Sequence, residues 1–256
     1  MRCDACGKAV LHVARRCPHC GVWGSVGVRR ARRGPVGSLD GARSLVRSTA
    51  PVPPLPDRLV SGVEPLDRVL GGGVVVGSSV AIFAEPGAGK STLLGQWAGG
   101  VAAVGPVLYA TGEETDPAVR RRLVRTGSAH DALFISDVCT VEGIKADAAH
   151  VGALAVVVDS AQTMVAGTHR AGSRASVLLG CAELRAWGKQ ERIAVVFVCQ
   201  VTSDGDMAGP KALEHAVDAV LRLDKAGPIR RVLRGRKNRH GAEASATLRM
   251  GVAGLL

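Results

Sequence analysis

The chain has 256 residues, with 33 Lys and Arg against 22 Asp and Glu, so its formal net charge is +11 at pH 7. That length can bury one sizeable core, no apolar run approaches the roughly 18 residues of a membrane span, and the start, MRCDACGKAV, lacks a signal-peptide apolar region, so a cytoplasmic protein is expected. Seven aromatic residues are too few for an interleaved base-stacking platform, while 46% hydrophobic content beside 33 Gly suits a packed α/β core rather than disorder.

Four cysteines open the chain as Cys3-x-x-Cys6 and Cys17-x-x-Cys20. A two-residue gap lets both thiolates of a pair turn onto one cation, and two such knuckles complete a closed tetrahedral Zn²⁺ site. Disulfides or reduced bystanders are the alternatives, disfavoured by number and spacing in a cytosolic chain. His12 and His19 are superfluous as ligands, and with every ligand supplied by protein the site is structural, not catalytic. Residues 1–28 are therefore read as a zinc-binding module. Residues 29–57, rich in Arg, Gly, Ser and Pro, are read as a basic linker, with Pro51 to Pro56 extended and stiff.

Residues 58–256 read as one α/β domain. VVVGSSVAIFA, following Gly73, is expected to be a single buried strand that runs into AEPGAGKST, and LLGQWAGGVA then has helical character. A strand, a Gly-rich turn, Lys-Ser and a helix in that order form a P-loop, in which backbone N–H groups and a helix N-terminus wrap a phosphate chain. Its expected members are Ala84, Glu85, Pro86, Gly87, Ala88, Gly89, Lys90, Ser91 and Thr92. Lys90 would bridge the β- and γ-phosphates and Ser91 would hold Mg²⁺; the first loop position is Ala84 where Gly is usual.

The strand VLYATG ends at Glu113-Glu114, whose side chains should diverge, so one at most faces the γ-phosphate. Glu113 is the expected base for the attacking water; the competing reading makes the pair a helix N-terminal acidic dipeptide ahead of DPAVRRRLVRTG. ALAVVVDS ends a further strand at Asp159, a second Mg²⁺ holder, although such a carboxylate can also be a simple strand termination. Strands at 134–136 and 193–200 alternate with helices near 141–150 and 174–190, which implies a mostly parallel sheet covered on both faces. Gln200, at a strand's carboxyl end, is expected to sense the γ-phosphate. Shorter strands at 217–224, 230–238 and 245–250 should close the sheet in hairpin fashion, and Cys139, Cys181 and Cys199 are read as buried small hydrophobes.

Charge gathers in two places: residues 1–57, with ten Lys and Arg against three acids, and 230–239, with six cations in ten residues. Solvated faces are the ordinary explanation for such runs; an anionic polymer is the partner if they are used.

The four-cysteine head, LVSGVEPLDRVLGGGVVVGS, AEPGAGKSTLL, YATGEE, VVVDSAQT, AGPKALEHAVDAVL and KNRHG, in this order over nearly the whole chain, together resemble the bacterial RadA (Sms) family. The resemblance implies a RecA-like ATPase core that uses ATP, acts on single-stranded or branched DNA in recombination and repair, and assembles into a ring, expected to be a hexamer, as a branch-migration helicase. It also implies that Lys237 and Arg239 of the KNRHG pentad reach the phosphates bound by a neighbouring subunit. Two positions depart from the family pattern: His240 stands for Phe in the pentad, and Thr202-Ser203 for Thr-Lys after the sensor strand. Members usually continue into a Lon-protease-like domain, which would follow Leu256.

Expected DNA-facing loops are 161–176, with His169, Arg170 and Arg174, and 201–211, with Lys211; without aromatics they should bind phosphates and be sequence-independent. The competing function is an ATP-regulated DNA-binding adaptor that recruits a recombinase or helicase through the zinc head. A small-molecule kinase lacks an evident acceptor pocket or lid.

Overall fold

A computed structural model describes residues 58–200 and 211–256, together with 6, 8, 14–16, 19–20 and 23–26. Near the N-terminus, strands β1 (Ala14–Arg16) and β2 (Trp23–Val26), both short, pair antiparallel. Cys3, Cys17, the linker reading of 29–57 and the loop 201–210 lie outside the described residues.

The remainder, Leu55–Leu256, is one compact unit. It opens with β3 (Arg58–Leu59), α1 (Glu64–Val69) and β4 (Val74–Val75), the two strands pairing antiparallel. The buried Asp67 carboxylate accepts the amides of Ser61 and Gly62 and the Ser61 hydroxyl, which ties the approach to α1 onto the helix itself. The expected single strand 74–84 is two: a turn at Gly77-Ser78, where Ser78 N–H returns to the Val75 carbonyl, separates β4 from β5 (Ser79–Ala84).

Next come α2 (Lys90–Ala102), β6 (Val107–Thr111), α3 (Asp116–Arg125), β7 (Leu133–Ser136), α4 (Val141–Val151) and β8 (Ala155–Asp159). A 3₁₀ turn (Ala161–Thr163), α5 (Arg174–Glu191), β9 (Ala194–Gln200), α6 (Lys211–Ala216) and β10 (Ala219–Lys225) follow. The chain closes with β11 (Arg230–Asn238), β12 (Ser245–Gly251) and β13 (Gly254–Leu255). Thr140 and Ser173 cap α4 and α5 by accepting the amides of Gly143 and Ser176.

Among the described residues one nine-stranded sheet has the order β13-β12-β11-β10-β5-β9-β8-β6-β7. The run from β10 to β7 is parallel, and β11 to β13 add antiparallel. Alternation along each central strand divides the core. Val80, Ile82 and Ala84 of β5 face α1, α2 and α3; Ala81 and Phe83 face α4, α5 and α6. Strands buried on both faces explain the continuous apolar runs. α2 lies so close to the segment before α1 that a Cβ on Gly100 would stand 1.8 Å from the Ser61 carbonyl oxygen. Cys181 and Cys199 are buried as expected, whereas Cys139 is only half-buried, its thiol donating to the Asp137 carbonyl at 3.4 Å. No described helix is long and apolar enough to cross a membrane.

Asp218 joins β10 to β5. Its Oδ2 accepts from Ser79 N–H (3.0 Å) and Ser79 Oγ (2.7 Å), and Oδ1 meets Arg185 (3.5 Å) and Arg239 (3.4 Å). Burial alone would raise this carboxyl, but the two Ser79 donors and Arg185 outweigh it and hold the pKa below the usual aspartate value. A depressed pKa contributes stability above the unfolded value and loses it as pH falls through the folded one. Asp218→Asn should therefore cost about 1–3 kcal/mol in urea unfolding at pH 7, with the gap narrowing below about pH 4; a gap constant from pH 7 to 3 would show that charge is irrelevant there.

Candidate active site

The order of the sheet changes direction at β5, and ligands of such sheets lie outside the carboxyl ends of the strands at that point. There β5 ends at Ala84, the residues 85–89 turn, and α2 begins at Lys90. Ala84 is thus the last strand residue. Gly89 precedes α2 at φ 105° with no side chain capping the helix, a left-handed conformation that L side chains rarely adopt. A Cβ there would also lie 2.4 Å from Met250 Cε, so β12 and β13 back the turn.

Carbonyls near a bound anion are repulsive, and two cations occupy those of the turn. Lys225 Nζ donates to the Pro86 carbonyl at 2.8 Å, and the buried Arg231 donates from Nε to the Ala88 carbonyl at 2.9 Å. Lys90 Nζ lies against the Ala84 (3.0 Å) and Glu85 (3.3 Å) carbonyls. Burial lowers its pKa below the usual lysine value, opposed by the carboxylates of Glu113 and Asp159. Ser91 and Thr92 open α2, half-buried.

Asp159, 2% exposed, ends β8 facing this turn. Its Oδ2 accepts the Tyr109 hydroxyl at 2.5 Å, while its Oδ1 is buried without a hydrogen-bond partner. Burial raises the Asp159 pKa; the Tyr109 hydroxyl on Oδ2 and the nearby Ser91 hydroxyl pull it back. A buried, orphaned carboxylate oxygen beside a hydroxyl matches the oxygen ligands that Mg²⁺ takes, so Asp159 and Ser91 fit that ion.

The acidic pair beyond β6 divides. Glu113, exposed, accepts at Oε1 from the Ser160 hydroxyl and from Gln200 Nε2 (2.8 Å), which brings the ends of β6, β8 and β9 together. Glu114 turns away, both its oxygens taken by Arg122 of α3, whose Nη2 also reaches the Tyr109 hydroxyl at 3.3 Å. Burial pushes the Tyr109 pKa well above its ordinary value, so this phenol stays a donor.

The pentad lies elsewhere, at the end of β11. Lys237 Nζ donates to the Glu214 (2.7 Å) and Val217 (2.7 Å) carbonyls, closing the C-terminal turn of α6, and Arg239 neighbours Asp218. The His240 side chain is exposed, and its carbonyl is held by Arg58 at 2.6 Å, so this position does not pack into the core. His169 and Arg170 are exposed between the 3₁₀ turn and α5, and Arg174 is exposed at the start of α5. Cys6 and Cys20 are described, each in a turn, but among the described residues no group of three or more His, Cys, Asp or Glu could hold a metal ion.

Sequence reasoning missed Tyr109, Arg122, Lys225 and Arg231. Tyr109 had a signal: it is the chain's only tyrosine, set in an otherwise aliphatic buried strand. The other three are ordinary basic residues, Arg122 and Arg231 in basic runs and Lys225 beside Asp224.

A family model described as a family of unknown function (DUF7125) matches residues 58–254. The DNA repair protein RadA of Mycolicibacterium smegmatis is 37% identical over 259 residues, covering 94% of this chain and 55% of that protein. Its Escherichia coli counterpart is 36% identical over 254 residues, with the same coverages, and that of Haemophilus influenzae 43% identical over 188 residues, 72% of this chain and 41% of that protein. The chain thus spans about half the length of the curated relatives it matches. Among solved structures, the KaiC-like protein PH0186 of Pyrococcus horikoshii aligns with TM-score 0.65 at 20% identity, over 78% of this chain and 98% of that one, a likeness of fold.

Proposed function

Because the chain belongs to the DUF7125 family and to the RadA family of bacterial DNA repair proteins, we propose that it is a cytoplasmic, DNA-stimulated ATPase of repair and recombination that works as a ring. The observation that carries this reading is the convergence of Lys90, Ser91, Asp159, Glu113 and Gln200 at the carboxyl ends of β5, β6, β8 and β9.

The backbone of residues 84–89 wraps the phosphate chain, and Lys90 offsets charge on its β- and γ-phosphates. Ser91 and Asp159 hold Mg²⁺, which when bound neutralises charge on the phosphate oxygens. Glu113 accepts a proton from the attacking water, and Gln200, bonded to the same carboxylate, reports the γ-phosphate to the segment after β9. In a ring, which we take to be hexameric, Arg239 and Lys237 complete the neighbour's pocket. Arg239, its side chain 48% exposed, is the more available, since α6 carbonyls take up the Lys237 ammonium. The exposed His169, Arg170 and Arg174, with Lys211, meet single-stranded or branched DNA through phosphates. Cys3, Cys6, Cys17 and Cys20 form a Zn²⁺ module on residues 1–28, joined by the 29–57 linker to the ATPase domain and available to a recombinase.

The test is ATP turnover with and without single-stranded DNA across a salt series. Stimulation should appear at low salt and fade steeply, the affinity for DNA falling with a log–log slope near about −0.7 per phosphate contact. Turnover indifferent to DNA at every salt concentration sinks the motor reading; DNA binding without strand displacement on a forked substrate favours the adaptor.

A further inference from the structure

β6 and β8 run side by side, with Tyr109 in register with Val157. Two residues beyond Val157, on the same face, stands Asp159, so the phenol reaches its carboxylate from the neighbouring strand. The Tyr109 ring is completely buried; the other buried polar side chain of β6, Thr111, accepts the amides of Glu113 and Glu114, whereas the Tyr109 hydroxyl goes to Asp159. Its hydroxyl donates to Asp159 Oδ2 at 2.5 Å and accepts from Arg122 Nη2 at 3.3 Å. Arg122, its side chain only 11% exposed, is gripped in turn by both oxygens of Glu114. Glu114 holds Arg122 through Nη1, Arg122 Nη2 meets the hydroxyl, and the hydroxyl takes Oδ2, which leaves Oδ1 as the oxygen of Asp159 without a hydrogen-bond partner; Arg122 Nε is likewise buried without one.

We propose that Tyr109 is a positioning residue for the metal grip of Asp159, aiming Oδ1 at the divalent cation, and that Arg122 with Glu114 sets the position of Tyr109. The inference rests on the nucleotide-site reading and extends it from the residues that touch the cation to those that aim them. Partners that orient a metal-binding side chain commonly carry about tenfold or more of the affinity. The relay also gives the two neighbouring glutamates separate tasks, Glu113 at the site and Glu114 behind it.

The probe is Mn²⁺ in place of Mg²⁺, its binding to the full chain followed by electron paramagnetic resonance with ADP present, so that no turnover is needed. Tyr109→Phe keeps the buried ring and removes only the hydroxyl; it should raise the half-saturating Mn²⁺ concentration about tenfold. Arg122→Gln should move it the same way by less, and nucleotide binding in EDTA should stay within about twofold of wild type for both. A folded Tyr109→Phe with wild-type Mn²⁺ binding overturns the proposal. If that variant does not fold, Arg122→Gln decides: a raised value supports the relay and an unchanged one overturns it. Wild-type protein that binds neither ADP nor Mn²⁺ overturns the nucleotide-site reading itself, an outcome distinct from loss of the Tyr109 role alone.

Discussion

Lys90→Ala should lower ATP turnover by about 10²–10³-fold or more and weaken nucleotide binding, while leaving the melting temperature close to that of the wild type. The side chain is half-buried at the start of α2 and bonds only to the carbonyls of Ala84 and Glu85, so its loss opens no core cavity. It is, however, the cation between two carboxylates: Glu113 and Asp159 both raise its affinity for the proton. Removing it leaves those carboxylates, together with an incoming triphosphate, without that positive charge. Turnover by steady-state assay and nucleotide affinity by titration calorimetry check this. A variant that hydrolyses ATP at the wild-type rate would refute the P-loop reading.

Glu113→Gln should lower turnover by about 10²–10⁴-fold yet retain ATP, because an amide keeps the size and the hydrogen-bonding reach of the carboxylate but cannot take a proton from water. Its present partners, the Ser160 hydroxyl and Gln200 Nε2, are donors. The amide oxygen can still accept from them, so the local structure should survive. Glu114→Gln should cost less, since that side chain faces Arg122 and acts on the site only at a distance. Single-turnover measurements on both variants separate them. Greater loss in Glu114→Gln than in Glu113→Gln would reverse the assignment.

These contrasts show where sequence and structure diverge. AEPGAGKST is legible because its members are contiguous: the glycines, the lysine and the hydroxyl sit within nine residues, and local backbone geometry suffices to assemble them. Asp159 and Gln200 are legible at one remove, since an apolar run buried on both faces betrays a central strand, and a parallel sheet puts the end of such a strand beside the ligand. The Glu113-Glu114 pair is half legible. Period-two alternation says that the two diverge; Arg122, eight residues beyond Glu114 on α3, decides which one turns away. The break between β4 and β5 escapes a sequence reading because Gly77 lies within an otherwise continuous valine-rich run, and only the pairing of β4 with β3 shows that the chain has left the main sheet.

By itself the sequence determined the α/β class, the alternation of strands and helices through the middle of the chain, the glycine-rich turn and the strand ends that surround it, because each depends on short-range periodicity or on adjacent residues; it did not show β3, α1, α6 or β13. Tertiary structure alone decided what aims and braces those groups. Arg231 meets the Ala88 carbonyl from 143 residues away, Lys225 meets Pro86 from 139, and Tyr109 meets Asp159 from 50. Lys237 likewise closes α6 instead of extending freely from β11. An isolated Arg, Lys or Tyr carries no mark of the partner it will meet, since that partner is fixed by strand order and by the burial that makes an unpaired polar group costly.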